Sequence, residues 1–176
     1  MEQLLDFRRG ESGAASLLKR DVYRVGDLVD EVVRPFQLRP AVGDRLSTVI
    51  EPALPPVEVS REGFTEALSN LIQNGLSHGG PDGPLVITAR ANDKGIAVSV
   101  RDSGPGITEK EQRRIFERFY RARSTTESKV AGFGLGLSIV DRFARDHGGH
   151  ASVESAPGQG AIFTIWLPAS DKPLNE

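Results

Sequence analysis

Cysteine is absent from the 176-residue chain, which removes disulfide frameworks, thiol catalysis and Cys-ligated zinc together. Long apolar runs are missing as well: none approaches the ~20 residues needed to span a bilayer. The opening residues, MEQLLDFRRGESG, lack the apolar stretch and small-residue cleavage site of a signal peptide. There is no basic excess, since 22 Lys+Arg stand against 24 Asp+Glu for a formal net charge of −2. Binding that works by neutralising nucleic-acid phosphates is therefore set aside. No Gly-Lys dipeptide occurs, so a P-loop is excluded, and no Gly-x-Gly-x-x-Gly follows a strand. His-Glu-x-x-His is also missing. What remains is 38% hydrophobic and 26% charged, an ordinary globular composition, with enough chain for one domain rather than two. A cytoplasmic location is expected, without nucleic acid or direct membrane contact.

Hydropathy patterning divides the chain into short elements. Leu4–Arg9 reads as a helix end stopped by Gly10 and Gly13, too short to stand alone. A strand is expected at Asp21–Val25, and then a helix capped by Asp27, with Leu28, Val29, Val32, Val33 and Phe36 at helical spacing and Pro40 as its stop. Leu46–Ile50 and Val57–Val59 read as strands on either side of a proline-stiffened loop. Ser60 stands where a cap belongs for a helix over about 61–77. That helix has one apolar stripe, from Phe64 to Gly75, and an opposite face with Glu66, Asn70, Gln73, Asn74 and Ser77. Leu85–Ala91 and Ile96–Asp102 form a hairpin around Asn92-Asp-Lys-Gly95. The polar stretch 103–133 holds one short helix, begun by the capping box Thr108-x-x-Glu111. Leu135–Asp146 is an amphipathic helix, His150–Ser155 and Ala161–Leu167 a last hairpin, and 169–176 a polar tail expected to be disordered. Three principal helices among hairpins imply an α/β (α+β) two-layer sandwich: a mixed, largely antiparallel sheet covered on one face by three helices.

Four features carry chemistry. Asn70 and Asn74 stand one turn apart, where i,i+4 spacing sets both amides side by side. An amide oxygen is a neutral, hard ligand suited to Mg²⁺ when phosphates complete the shell; taken alone, the pair also fits two surface or capping asparagines. Asp102-Ser-Gly-Pro-Gly106 follows an alternating strand, and a carboxylate there can accept from the exocyclic amine of a base lying against glycine backbone. It also fits a plain strand-to-loop turn. Gly132-Phe-Gly134-Leu-Gly136-Leu137 opens the last long helix, so that backbone N–H groups and the helix dipole offer an anion site. Finally, a 31-residue polar connection at 103–133 is of a length that usually serves as a lid or is disordered. His147 and His150 read as surface histidines at a helix end, since a metal site needs more ligands.

In this order the features resemble the catalytic and ATP-binding domain of sensor histidine kinases, in the GHKL ATP-binding superfamily. Glu66-Ala-Leu-Ser-Asn70-Leu-Ile-Gln-Asn74-Gly is similar to the N box and Asp102-Ser-Gly-Pro-Gly-Ile107 to the G1 box. Ile115-Phe-Glu-Arg-Phe-Tyr-Arg121 resembles the F box, Gly132 through Val140 the G2 box, and Gly158-Gln-Gly160-Ala-Ile-Phe the closing glycine motif. The likeness runs from about residue 22 to 168.

The resemblance implies ATP and Mg²⁺ as cofactors. Asn74 would coordinate the metal with Asn70 beside it, and Asp102 would bind the adenine amine in a pocket shaped by Gly104, Gly106 and Ile107. Gly132, Gly134, Leu135, Gly136 and Leu137 would hold the phosphates. Phe116 and Phe119 would anchor a lid at about 120–131, Phe119 and Tyr120 would bind the nucleotide, and Arg121 would stabilise charge on the transferred phosphoryl group. Ser77 stands where the family commonly carries Lys or Arg, with His78, read as a surface residue, following it. By the same resemblance, residues 1–13 are the end of a dimerisation helix plus linker and 14–168 the catalytic domain. The phosphoacceptor histidine, any membrane anchor and the acid/base group would lie outside this chain. The implied partners are the dimerisation/phosphoacceptor domain and, downstream, a response regulator, with the isolated domain a monomer and the parent a homodimer. A GHKL-type ATPase and a non-catalytic nucleotide-binding regulatory module are the alternative readings.

Overall fold

The computed structural model describes residues 19–80, 82–121 and 134–174. The helix end expected at Leu4–Arg9, nearly all of the expected lid, and Gly132 lie outside these residues. Two sheets form. Strands β1 (Asp21–Tyr23) and β3 (Val57–Val59) pair antiparallel. The main sheet takes β2 (Leu46–Ile50), β4 (Leu85–Asn92), β5 (Gly95–Arg101), β6 (His150–Ser155) and β7 (Ala161–Pro168) in the order β2-β4-β5-β7-β6. Only β2 runs parallel to its neighbour; every other pair is antiparallel. This is the mixed sheet that the patterning implies.

Strict alternation explains the layering. Successive side chains on a strand face opposite ways, and the register aligns Ile87 with Val100 and Val100 with Phe163, and Ala89 with Val98 and Val98 with Ile165. These residues are buried and share one core cluster with side chains from α1 (Val25–Gln37), α2 (Arg61–His78) and α4 (Gly136–Asp146). The opposite sheet face, with Thr88, Ser99 and Thr164 in one row, stays partly exposed. The remaining short helix, α3 (Glu109–Gln112), has the capping box read from Thr108 and Glu111, with both of its hydrogen bonds present.

Three expectations need correction. Arg24, not Asp27, is the N-cap of α1. Burial of Val25, Leu28 and Val29 begins the helix early and leaves Asp27 in its first turn, where a negative charge suits the dipole. The helix also stops at Gln37, before Pro40, and holds Pro35 inside because Phe36 is buried in the core. The tail is not loose from residue 169 onward. Ala169 N–H donates to Lys94 O at 3.0 Å and Ser170 N–H to Pro56 O at 2.8 Å, while Lys172 pairs with Glu58 at 2.6 Å. Among the described residues, no helix is long and apolar enough to cross a membrane.

Candidate functional site

Helix α2 is the spine of the site. Ser60 caps it, its hydroxyl accepting from Gly63 N–H at 3.2 Å. Gly63 lets α4 approach closely: a Cβ there would stand 3.0 Å from the Phe143 ring, which itself packs edge-on against Phe64 at 6.1 Å. With its apolar stripe committed to this packing, α2 turns Asn70 and Asn74 outward along the start of α4. Asn70 Nδ2 donates to Glu66 O at 2.9 Å, and its Oδ1 lies 2.9 Å from where a Cβ on Gly136 would be. The Asn74 side chain, half-buried one turn on, forms no hydrogen bond with a described residue. Leu135 is the N-cap of α4 and makes no side-chain cap hydrogen bond to the first-turn N–H groups beside Asn70.

Two turns further along α2, its C-terminus meets Asp102. That side chain is only 6% exposed. Its Oδ1 accepts from Gly104 N–H at 2.8 Å and Ala161 N–H at 3.2 Å, while Oδ2 has no hydrogen-bond partner among the described residues. Burial pushes the Asp102 carboxyl above the usual carboxylate range, against the opposing pull of those two N–H groups and of His78. Gly104 fits because a Cβ would stand 2.3 Å from His78 O, and Gly106, at φ +75°, passes beneath Ala156 O. Ile107 is half-buried against the core.

His78, read from sequence as a surface residue, is half-buried at this end, within electrostatic reach of both Asp102 and Arg121. Burial pushes its pKa below the ordinary histidine range; Asp102 opposes that shift and Arg121 adds to it. Ser77, by contrast, faces solvent.

The segment expected to close over the site is gathered at its base. Phe119 N–H donates to Gly134 O at 2.9 Å, and both residues have positive φ, +63° and +70°. A Cβ on Gly134 would lie 2.9 Å from Tyr120 O. Phe116 anchors this region by packing edge-on against Phe163 at 6.5 Å, whereas the Phe119 ring is 64% exposed. Tyr120 lies under the Arg114 guanidinium, 4.5 Å from ring centroid to carbon. Leu137 packs against the core. Asn70, Asn74, Asp102, Gly104 and Gly136 therefore border one strip along α2, with Arg121 within electrostatic reach of His78 at its Asp102 end, while Gly106 meets Ala156 and Gly134 meets Phe119 and Tyr120.

The histidines near the α4 C-terminus are elsewhere. His147 is not a plain surface residue: Ser60 N–H donates to its Nε2 at 3.1 Å and its Nδ1–H donates to Phe143 O at 2.8 Å. His150 is exposed and stacks on Trp166 at 5.3 Å.

Known proteins share this arrangement. The family described as histidine kinase-, DNA gyrase B-, and HSP90-like ATPase matches residues 60–171. The signal transduction histidine-protein kinase AfsQ2 of Streptomyces coelicolor is 35% identical over 176 residues, which cover 98% of this chain and 31% of that protein. The adaptive-response sensory kinase SasA of Parasynechococcus marenigrum is 39% identical over 124 residues, 70% of this chain and 32% of that protein. Among solved structures, full-length ShkA in complex with AMPPNP aligns with a TM-score of 0.73 at 27% identity, covering 89% of this chain and 33% of that one. The nucleotide-free catalytic domain of the histidine kinase ThkA aligns at 0.72 and 27% identity, covering 86% and 96%.

The mixed sheet and the helices that cover it have the fold of histidine kinase catalytic domains. The chain belongs to the histidine kinase-, DNA gyrase B-, and HSP90-like ATPase family. It spans about a third of the length of the two curated relatives described above.

Proposed function

We propose that this chain binds Mg-ATP along α2 and transfers the γ-phosphoryl group to a histidine on a dimerisation/phosphoacceptor domain, with a response regulator acting downstream. One observation carries the reading: a buried carboxylate and a glycine-opened helix N-terminus lie at two ends of one helix face. Asn70 and His78 are eight residues apart, ~12 Å along a helix, the scale on which a nucleotide separates its base from its terminal phosphates. Asp102 Oδ2 is the acceptor for adenine's exocyclic amine; guanine presents a carbonyl there instead, which the carboxylate repels. The first-turn N–H groups of α4 supply fixed donors for phosphate oxygens.

Among the described residues, no group of three or more His, Cys, Asp or Glu side chains could hold a metal. Mg²⁺ therefore fits only with phosphate and water oxygens filling most of its shell, and the unengaged Asn74 amide supplies a neutral oxygen suited to it. When bound, the ion neutralises phosphate charge. Arg121 holds a further positive charge at the lid boundary. Phosphoryl transfer depends chiefly on such positioning and electrostatics, so the chain's own part is to present the γ-phosphate, while the acceptor and its acid/base group come from the partner.

The test supplies γ-labelled ATP, Mg²⁺ and a fragment carrying the parent's dimerisation helices. Label is expected on the fragment, and Asn74→Ala is expected to remove it while shifting stability by less than ~0.5 kcal/mol, because the side chain leaves the core untouched. An unlabelled fragment, or an Asn74→Ala chain with full activity, counts against the reading.

A further inference from the structure

The loop from Asp102 to Ile107 has an unusual burden. Two of its residues are glycine, and Gly106 sits at positive φ, so its backbone has many alternatives to the one conformation that leaves Asp102 Oδ2 correctly aimed. Backbone bonds to the β6–β7 turn hold part of it: Gly158 N–H donates to Pro105 O at 2.6 Å and Gly160 N–H to Gly104 O at 3.0 Å. The last residue, Ile107, is held differently. Its N–H donates to Ser155 Oγ at 2.8 Å, and its carbonyl accepts from Gln112 Nε2, also at 2.8 Å.

Each of those side chains has a second bond that ties the same parts together. Ser155 Oγ–H donates to Gly160 O at 2.6 Å, and Gln112 Nε2 donates to Ser155 O at 2.8 Å. The hydroxyl's one hydrogen is thereby committed, and so are both hydrogens of the amide. One residue from β6 and one from α3 thus pin both main-chain groups of Ile107 to the closing hairpin. Neither belongs to the hydrophobic core cluster.

We infer that Ser155 and Gln112 are positioning residues that hold the Asp102–Ile107 loop in register with the β6–β7 turn and so set the adenine preference of the site. The inference rests on the ATP reading above. Removing either clamp leaves the sheet and helices packed but frees the loop's exit, so that the aim of Oδ2 loosens. Adenine, which needs that aim, loses more affinity than guanine, which never had the contact.

Four variants of the full chain test this: Ser155→Ala, Ser155→Thr, Gln112→Glu and Arg113→Ala. Ser155→Thr keeps the hydroxyl. Gln112→Glu keeps the size but places a carboxylate against two carbonyl oxygens. Arg113→Ala removes an exposed pair with Glu109 on the same short helix and serves as the control. Two quantities are read: hydrogen exchange of the Ile107 amide without nucleotide, and Mg-ATP and Mg-GTP affinities by calorimetry. Ser155→Ala and Gln112→Glu are expected to weaken ATP about tenfold and GTP little, narrowing the preference, and Ser155→Ala to speed Ile107 exchange about tenfold. Ser155→Thr and Arg113→Ala stay at the wild-type values.

Because Gln112 lies outside the core, its arm stands even where Ser155→Ala lowers the melting temperature. Wild-type ATP preference that both disruptive variants retain overturns the inference while leaving the ATP reading intact. A wild-type chain that binds neither nucleotide overturns both, and Ile107 exchange then reports the clamp by itself.

Discussion

Asp102 is the residue with most to lose from being where it is. A carboxylate is costly to bury without full pairing, and here only one of its two oxygens is paired within the described residues. Its folded pKa is raised by burial. A raised carboxyl pKa contributes stability at pH below the unfolded value, and that contribution is lost as pH rises through the folded one. At neutral pH the side chain therefore works against the nucleotide-free fold. Asp102→Asn keeps an oxygen for Gly104 and Ala161 and drops the charge. It is expected to raise the melting temperature near pH 7 by about 2–4 °C and to abolish the preference for ATP over GTP. Melting curves from pH 3 to 8 check the first part, where the gap to wild type should close on the acid side. Nucleotide competition checks the second. A variant that melts lower than wild type at pH 7 would contradict the assignment of strain to this carboxyl.

At the scale of elements, Ser60 and His147 hydrogen-bond across the corner between α2 and α4. Ser60 caps α2 with its hydroxyl and donates its own N–H to His147 Nε2, while His147 Nδ1–H closes back on Phe143 O. The bond from Ser60 requires neutral His147, because a protonated ring has no acceptor. Burial depresses the His147 pKa; the Phe143 carbonyl and Asp146 push the other way, and Arg20 adds to the depression. With the folded value below the unfolded one, the stability it contributes is present above the ordinary histidine range, ~6.5. It is lost as pH falls through the folded pKa. His78 is shifted in the same direction and adds to the same acid slope. His147→Ala is expected to cost about 1 kcal/mol at pH 8 and to flatten, without abolishing, the fall in stability between pH 7 and 5. Denaturant titrations at fixed pH measure both, and an unchanged acid slope would remove His147 from this role.

Across the whole molecule, what matters is which chemistry the chain can do alone. Water attack on a γ-phosphate needs a base within hydrogen-bond reach. On the helix face beside the α4 N-terminus, Asn70 offers a neutral amide whose nitrogen is already bonded to Glu66 O. The chain with Mg-ATP and no acceptor is thus expected to bind without steady turnover. Continuous phosphate release over many turnovers would favour a hydrolytic enzyme over the kinase reading.

Much of this molecule was legible before folding, and for a local reason. Strand alternation, the α2 stripe, the Ser60 cap and the Thr108–Glu111 box each depend on residues within a turn or two of one another. The asparagine, Asp102 and glycine motifs are contiguous as well, so their resemblance to the histidine kinase boxes can be read from the sequence. What joins those pieces is not local. Ser60 meets His147 across 87 positions, Gln112 meets Ser155 across 43, and Lys172 reaches Glu58 across 114. Ala169 and Ser170 are tied to Lys94 and Pro56 through backbone atoms, and backbone donors look the same in every residue type except proline. Sequence by itself determined the elements, the face each one buries and the residue types at the site. Only the tertiary structure decided that His147 and His78 are partly buried, that the tail is pinned, and that two unremarked side chains clamp Ile107. Register between distant elements is set by how the core packs, and no short stretch of chain carries that information.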